Sequence, residues 1–415
     1  MTGNDARAAA ENAARHSYGK LLALICSSTR DISAAEDALS EAFAAALKHW
    51  PETGVPDAPE AWLLTAARRR LIDIARRTQT QEKTAEALGD ILRTDNISET
   101  PDMTDIADDF PDRRLALLFA CAHPAIDRAV QTPLMLQTVL GLDATRIAKA
   151  FAMPTAAMAQ RLVRAKRKII SAGIPFTEPS REDMSPRLGA VLSAIYAGFS
   201  AGYGEAGDAS GDAEGFADEA IFLGRLLVSL APDAAEAKGL LALMLFVDAR
   251  KDARRFGGRY IPIAEQNVDL WQNKKVETAS KLLVSAASSQ IVGRFQLEAA
   301  IQSATMAGRV RNFNPATEIC GLYRALIECA PSLGAKIGYA AALCDAGDTK
   351  SAREQLESLD PKQIERHQPY WATLAHVEEN AGEIKRATTA LRNAIALTSD
   401  PAVVEFLRRK LNKFN

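Results

Sequence analysis

Cysteine is scarce: Cys26, Cys121, Cys320, Cys329 and Cys344 are five in 415 residues, with no C-x-x-C pair among them. That excludes a disulfide framework and the usual zinc spacings, and an odd count of lone thiols fits a reduced, cytoplasmic setting. The five histidines, His16, His49, His123, His367 and His376, are scattered without acidic partners at triad or ligand spacing, and no phosphate-cradling glycine loop opens a helix. Neither an enzyme nor a bound cofactor or metal is therefore expected. Aromatics make up only 6%, and strand-type runs of Val, Ile, Thr and Tyr are nearly missing, which points to an all-α fold. Long apolar runs are missing too. The longest, residues 239–247, falls far short of the roughly 20 residues that cross a bilayer, and the polar first residues, with Arg7 and Arg15, lack the apolar core of an export signal. No membrane partner is expected. A strong excess of one charge is also absent; the net charge of -2 argues against a protein coated along its length in nucleic acid.

What is present is a chain that is 47% hydrophobic and 25% charged, enough apolar surface for two or three folded domains. Its charge is unevenly spread. Residues 79–112 hold ten acids against Lys83 and Arg93, while residues 113–175 hold ten bases against Asp127 and Asp143. The pattern divides the chain into a helical module at 5–77, an acidic linker at 78–110, a basic helical module at 111–175 and a long helical extension at 185–415. The linker reads as a solvated tether, or as one that fills a basic channel of a partner or masks the basic module; the two readings are compatible.

In the first module Tyr18, Leu21, Leu22 and Ile25 recur at helical spacing, and Ala35, Leu39, Ala42, Phe43, Ala46 and Leu47 resume the stripe after a break at 30–33, so two antiparallel helices are expected. Ser33 precedes Glu36 at capping-box spacing and would start the second. Its outer face bears Glu36, Asp37, Ser40 and Glu41. A Pro-rich loop at 50–59 follows, then a helix over 60–77 that carries Trp62, Leu63, Ala66, Leu71 and Ile74 on its packed side and Arg68, Arg69, Arg70, Arg76 and Arg77 in its second half. Guanidinium clusters of this kind favour phosphate, although cations at a helix C-terminus are also favoured by the helix dipole.

The string Ala34-Ala35-Glu36-Asp37-Ala38-Leu39-Ser40-Glu41-Ala42-Phe43, followed by Ala61-Trp62-Leu63-Leu64-Thr65-Ala66-Ala67-Arg68-Arg69-Arg70-Leu71-Ile72-Asp73, resembles region 2 of extracytoplasmic-function (ECF) sigma factors of RNA polymerase. The resemblance implies that Asp37 and Glu41, with Glu36 and Ser40 beside them, contact core RNA polymerase. It also implies that the loop over 51–59 holds a flipped promoter base and that Arg68, Arg69, Arg76 and Arg77 bind DNA. Ser40 and Arg69 stand where that family usually has Gln and Asn.

In the basic module, apolar positions at 115–121 and 134–140 make two helices. A short helix over 143–151 follows, then Met153-Pro154 and a long basic helix over 155–171. This is helix-turn-helix order, with Asp143 as N-cap and Pro154 in the first turn. Met158, Leu162, Ala165 and Ile169 form the packed stripe. Such a helix enters the major groove, where Gln160 and Arg161 would read bases and Arg164, Lys166, Arg167 and Lys168 would anchor the backbone. Ile147-Ala148 and Arg161-Leu162-Val163-Arg164-Ala165-Lys166 resemble sigma region 4, which reads the upstream promoter element; Ala156, Ala157 and Ala159 replace the small polar and basic residues common there.

Beyond residue 185, Ala346-Gly347-Asp348-Thr349-Lys350-Ser351-Ala352 recurs as Ala381-Gly382-Glu383-Ile384-Lys385-Arg386-Ala387, with Leu356 matched by Leu391. A period near 34 with these residues signals tetratricopeptide-like helix pairs, at least three of them between 317 and 411. Residues 220–230 and 239–250 read as two more helices, and 198–215 as a Gly-rich loop. Asp248-Ala249-Arg250, Gln266, Asp269, Trp271 and Phe295-Gln296-Leu297-Glu298-Ala299-Ala300 resemble the extension of one ECF subgroup, in which the fused domain regulates. The expected function is promoter-specific initiation with core RNA polymerase and promoter DNA as partners, regulated in cis by repeats that take a protein or peptide ligand. The alternative is a stand-alone helix-turn-helix regulator with a tetratricopeptide sensor.

Overall fold

Alanine-rich, aromatic-poor sequence favours helix over strand, and among the described residues twenty α-helices, two single-turn 3-10 helices and one short hairpin make up the regular structure. The protein is all-α. The structure, a computed structural model, describes residues 3–82, 112–204, 212–289 and 291–414. Two compact units divide it: Met1–Tyr203 with Ser210–Leu223, and Gly204–Ala209 with Gly224–Asn415.

In the first unit α1 (Gly3–Thr29), α2 (Ile32–Thr53) and α3 (Pro59–Glu82) pack on one another. Arg30 turns the chain at φ 56. Asp31, rather than Ser33, caps α2 by accepting from the Ala34 amide at 3.0 Å; Ile32 is wholly buried, so the helix must already be running when that side chain reaches the core. The loop expected over 50–59 is shorter than its prolines suggest. Helix α2 continues through Pro51 to Thr53, because a proline in the last turn removes one intrahelical bond and Gly54 N still closes on Trp50 O at 3.0 Å. Trp50 and Trp62 then meet edge to face at 5.5 Å, pinning the end of α2 to the start of α3. Helix α3 runs past residue 78, where the linker was expected to begin, to Glu82; positions 83–111 lie outside the described residues.

The chain resumes as α4 (Arg114–Cys121), α5 (Arg128–Thr138), α6 (Ala144–Ala150), α7 (Thr155–Ser171), α8 (Arg181–Gly204) and α9 (Asp212–Leu230). The two N-terminal modules are built together. Gly19 of α1 backs onto the chain just after α5, so closely that a Cβ there would lie 2.0 Å from the Val139 carbonyl oxygen. Backbone cannot give way as a side chain can, so Gly19→Ala should cost about 2 kcal/mol by overpacking. Urea denaturation of the full chain measures this, and an unchanged midpoint would show that the contact is loose.

The stretch 198–215 is not simply a loop: residues 198–204 belong to α8 and α9 starts at Asp212. Glycine at 198 serves close packing, since a Cβ would lie 2.2 Å from Leu140 Cδ1. Arg114 is buried, bonded to Asp112 and Glu219, with its guanidinium 4.6 Å from the centre of the Phe222 ring. Arg187 reaches the Phe119 carbonyl at 3.5 Å and Arg146 lies over Phe216 at 5.4 Å. These contacts explain why the first unit takes in much of α8 and the start of α9, so that the division falls within α9 rather than near residue 185.

In the second unit α10 (Ala235–Asp248) and α11 (Lys251–Arg254) lead to the hairpin β1 (Arg255–Phe256) and β2 (Arg259–Tyr260), paired antiparallel. Then come α12 (Asn273–Ala287), α13 (Arg294–Arg311), α14 (Ala316–Cys329), α15 (Leu333–Asp345), α16 (Thr349–Glu357), α17 (Pro361–Ile364), α18 (Gln368–Asn380), α19 (Ile384–Ala396) and α20 (Pro401–Asn412). The internal recurrence takes physical form in the pairs α15/α16 and α18/α19. Gly347 and Gly382 supply the left-handed turn in each, at φ 89 and φ 78, and Ala352, Leu356, Ala387 and Leu391 bury the matching faces. Helices α14 to α20 fill residues 316–412, with α14 packed on α15 and α19 on α20 as well, and α13 packs on α14 upstream from Arg294.

The irregular segment 255–272 is tied to both ends of this array. Arg255 pairs with Asp400 at the head of α20, and Tyr260 meets Phe406 edge to face at 5.5 Å. Beyond the hairpin, the Gln266 carbonyl accepts from Arg309 of α13 at 3.0 Å. Burial pushes the Asp400 carboxyl up, but Arg255 and the amides that Asp400 caps outweigh it and hold the carboxyl below its ordinary value.

Candidate nucleic-acid and polymerase interface

Helix α2 presents Asp37, Ser40 and Glu41 on its outer face, all exposed. Glu41 accepts from Arg70 of α3 at 3.0 Å, which ties the two helices together. Asp37 forms no ion pair among the described residues. On α3, Arg69 and Arg76 are exposed, whereas Arg68 is half-buried and burial pushes its pKa down. The side chain of Arg77 lies outside the described residues.

Helix α6 is capped by Asp143, which accepts from Thr145 N at 2.8 Å and Arg146 N at 2.9 Å. Ile147 and Ala148 bury its inner face. Residues 151–154 then make a tight turn, with Ala152 at φ 50, and α7 begins at Thr155 with Pro154 as its N-cap rather than inside its first turn. Met158, Leu162, Ala165 and Ile169 are buried as the spacing predicts. Gln160, Arg161, Arg164, Arg167 and Lys168 share the exposed side. Arg164 leans on Gln160 at 3.5 Å and Arg161 on the Met153 sulfur at 3.6 Å. These are weak contacts, and they leave both guanidiniums available to a phosphate or a base edge.

Lys166 departs from the expected set. Its side chain is 7% exposed and it forms an ion pair with Glu36 of α2. The residue assigned to hold DNA and one of those assigned to hold polymerase are therefore each other's partner. Burial pushes the Glu36 carboxyl up despite the pull of Lys166, and its Oε1 atom is buried with no hydrogen-bond partner. Cys26 and Cys121 lie buried in the same unit; burial raises both thiols, that of Cys121 to about 12, so they act as packing groups rather than nucleophiles. Neither this pair nor the Arg114 cluster is expected from the sequence.

An uncharacterized protein of Rhizobium meliloti is 34% identical to this chain over 386 residues, covering 92% of the chain and 90% of that relative. Residues 14–81, which span most of α1 to α3, match the model of sigma-70 region 2. The chain carries a sigma-70 region 2. Sigma factors are not an enzyme class, and a region 2 implies a role in transcription initiation, with core RNA polymerase and promoter DNA as partners. Residues 187–287 match a family of unknown function, DUF6596. No solved structure matches. The second match runs from α8 into α12 and holds two buried polar pairings: Asp248 with Lys275, and Gln266 accepting from Trp271 Nε1 at 3.2 Å while donating to the Ile261 carbonyl at 3.1 Å. Asp248, Gln266 and Trp271, which the resemblance to the ECF extension singled out, thus act on the fold of the extension itself. No helix among the described residues is long and apolar enough to cross a membrane.

Proposed function

We propose that this protein is an ECF-type sigma factor of the cytoplasm, in which residues 5–77 dock on core RNA polymerase and open the promoter. Residues 111–175 act as a helix-turn-helix region 4 that reads the upstream element, and the helical extension, tetratricopeptide-like in its later part, regulates both in cis. The observation that carries this reading is the exposed basic side of α7 behind a four-residue turn, in the same compact unit as a sigma-70 region 2. Asp37, Ser40 and Glu41 form the polymerase face, Arg69 and Arg76 with Arg68 and Arg77 line the melted strand, and Gln160, Arg161, Arg164, Arg167 and Lys168 face the duplex.

The test is co-elution of the full chain with core polymerase on gel filtration. Wild type is expected to co-elute, and Asp37→Lys, a charge reversal at an exposed position, is expected to weaken the complex about tenfold while melting normally. DNA binding with no affinity for core would instead establish the stand-alone regulator.

A further inference from the structure

A cavity of about 520 Å³ lies in the second unit between the segment that follows the hairpin and helices α13 to α15. This is the size range of sites that hold small organic ligands. Its walls are apolar at Ile263, Ile301, Ile319 and Ala341. Its polar wall is built around Arg309. That guanidinium is anchored by one bond from Nη2 to the Gln266 carbonyl at 3.0 Å, its Nε is buried with no hydrogen-bond partner, and it forms no ion pair among the described residues. The one carboxylate on the cavity wall, Asp345, is already engaged by His376 Nε2 at 2.8 Å. A buried N–H donor without an acceptor is costly, and a guanidinium with a donor to spare is matched best by a carboxylate.

We propose that this cavity is a binding site for a small amphipathic monocarboxylate, whose acid group pairs with Arg309 and whose apolar body lies among Ile263, Ile301 and Ile319. Such a ligand touches both the 255–272 segment and the helical array, so it fastens one to the other. The extension thereby gains a chemical input that is distinct from a peptide laid along the repeats.

Two sources of this chemistry, a free alkyl acid and the C-terminus of a short apolar peptide, are separated by titrating decanoate and N-acetyl-leucyl-leucine into the full chain by calorimetry, with decanol as the uncharged control. At least one acid is expected to bind at one site per chain and to raise the melting temperature, with decanol at least tenfold weaker. Arg309→Gln should weaken the acid at least tenfold, and so should Ala341→Phe, which fills the cavity and keeps the guanidinium. Arg311→Gln, which makes the same change in net charge on an exposed arginine off the cavity wall, should bind as wild type does. Binding of neither acid, equal binding of decanol, or full retention of affinity in Arg309→Gln or Ala341→Phe would each overturn the assignment.

Discussion

Lys166→Met is expected to cost the N-terminal unit about 4 kcal/mol, because removing one member of a buried ion pair strands the other. With side chains 7% and 18% exposed, solvent can screen little of the loss. Glu36 already has one oxygen without a partner, so loss of the lysine leaves the whole carboxylate uncompensated. The double variant Glu36→Leu with Lys166→Met, which removes both charges, should recover most of the loss. The pH dependence has a definite sign. Burial holds the Glu36 pKa above its ordinary value in the folded protein, so the protonated form is favoured by folding. Stability from this group is full below the ordinary carboxylate range and declines as pH rises through the raised value. The deficit of Lys166→Met should therefore shrink as pH falls and Glu36 takes up its proton. Urea denaturation at mildly acidic and mildly alkaline pH checks both points. A cost under about 1 kcal/mol, as for an exposed pair, would mean that Lys166 is open to solvent and free to serve DNA.

The pair bears on function as well as stability. In this conformation Glu36 cannot meet polymerase while it holds Lys166, and Lys166 cannot meet a phosphate. Any state in which either residue serves a partner requires α2 and α7 to separate, at the cost of this pair. Gly19 against Val139 works in the same direction, since close backbone contact between α1 and the end of α5 adds to what must be undone.

The helical nature of the chain was legible because it depends on composition and on 3.6-residue periodicity, both of which are local. Even the hairpins around Gly347 and Gly382 could be read, since a left-handed turn between two apolar faces leaves the same residues at the same offset. Lys166 was misread by counting charge instead of angle. It falls four residues after Leu162 and three before Ile169, on the packed stripe, and that spacing was visible in the sequence; what was not visible is that Glu36, 130 residues away, would meet it. Arg114 carried the same kind of signal, a cation leading an otherwise apolar helix, and its partner Glu219 lies 105 residues off. Glycines misled in the opposite sense: Gly198 indicated a loop, yet it sits within α8 where Leu140 leaves no room for a Cβ. Long-range partners of single polar or very small residues leave no periodic trace, so these are the places where local reasoning stops.

Arg161→Ala with Arg164→Ala should lower promoter-specific transcript yield about a hundredfold in run-off reactions with core polymerase, with the chain still folded and still bound to core. Both side chains are exposed on α7 and held only by weak contacts, so their removal costs little stability. A well-placed arginine at a base edge contributes roughly 1–3 kcal/mol of discrimination, and loss of the Arg161 base contact together with the Arg164 phosphate contact, which adds affinity without sequence preference, gives the stated effect. The salt dependence separates their roles. If Arg164 holds a phosphate, its single replacement reduces the slope of log affinity against log salt by about 1 and weakens all sequences alike; if Arg161 reads a base, its replacement relaxes sequence preference and leaves the slope nearly intact. Arg167→Ala and Lys168→Ala should behave like the Arg164 variant. Undiminished transcript yield from the double variant would remove α7 from the promoter altogether, and the exposed basic side behind its turn would then need a partner other than DNA.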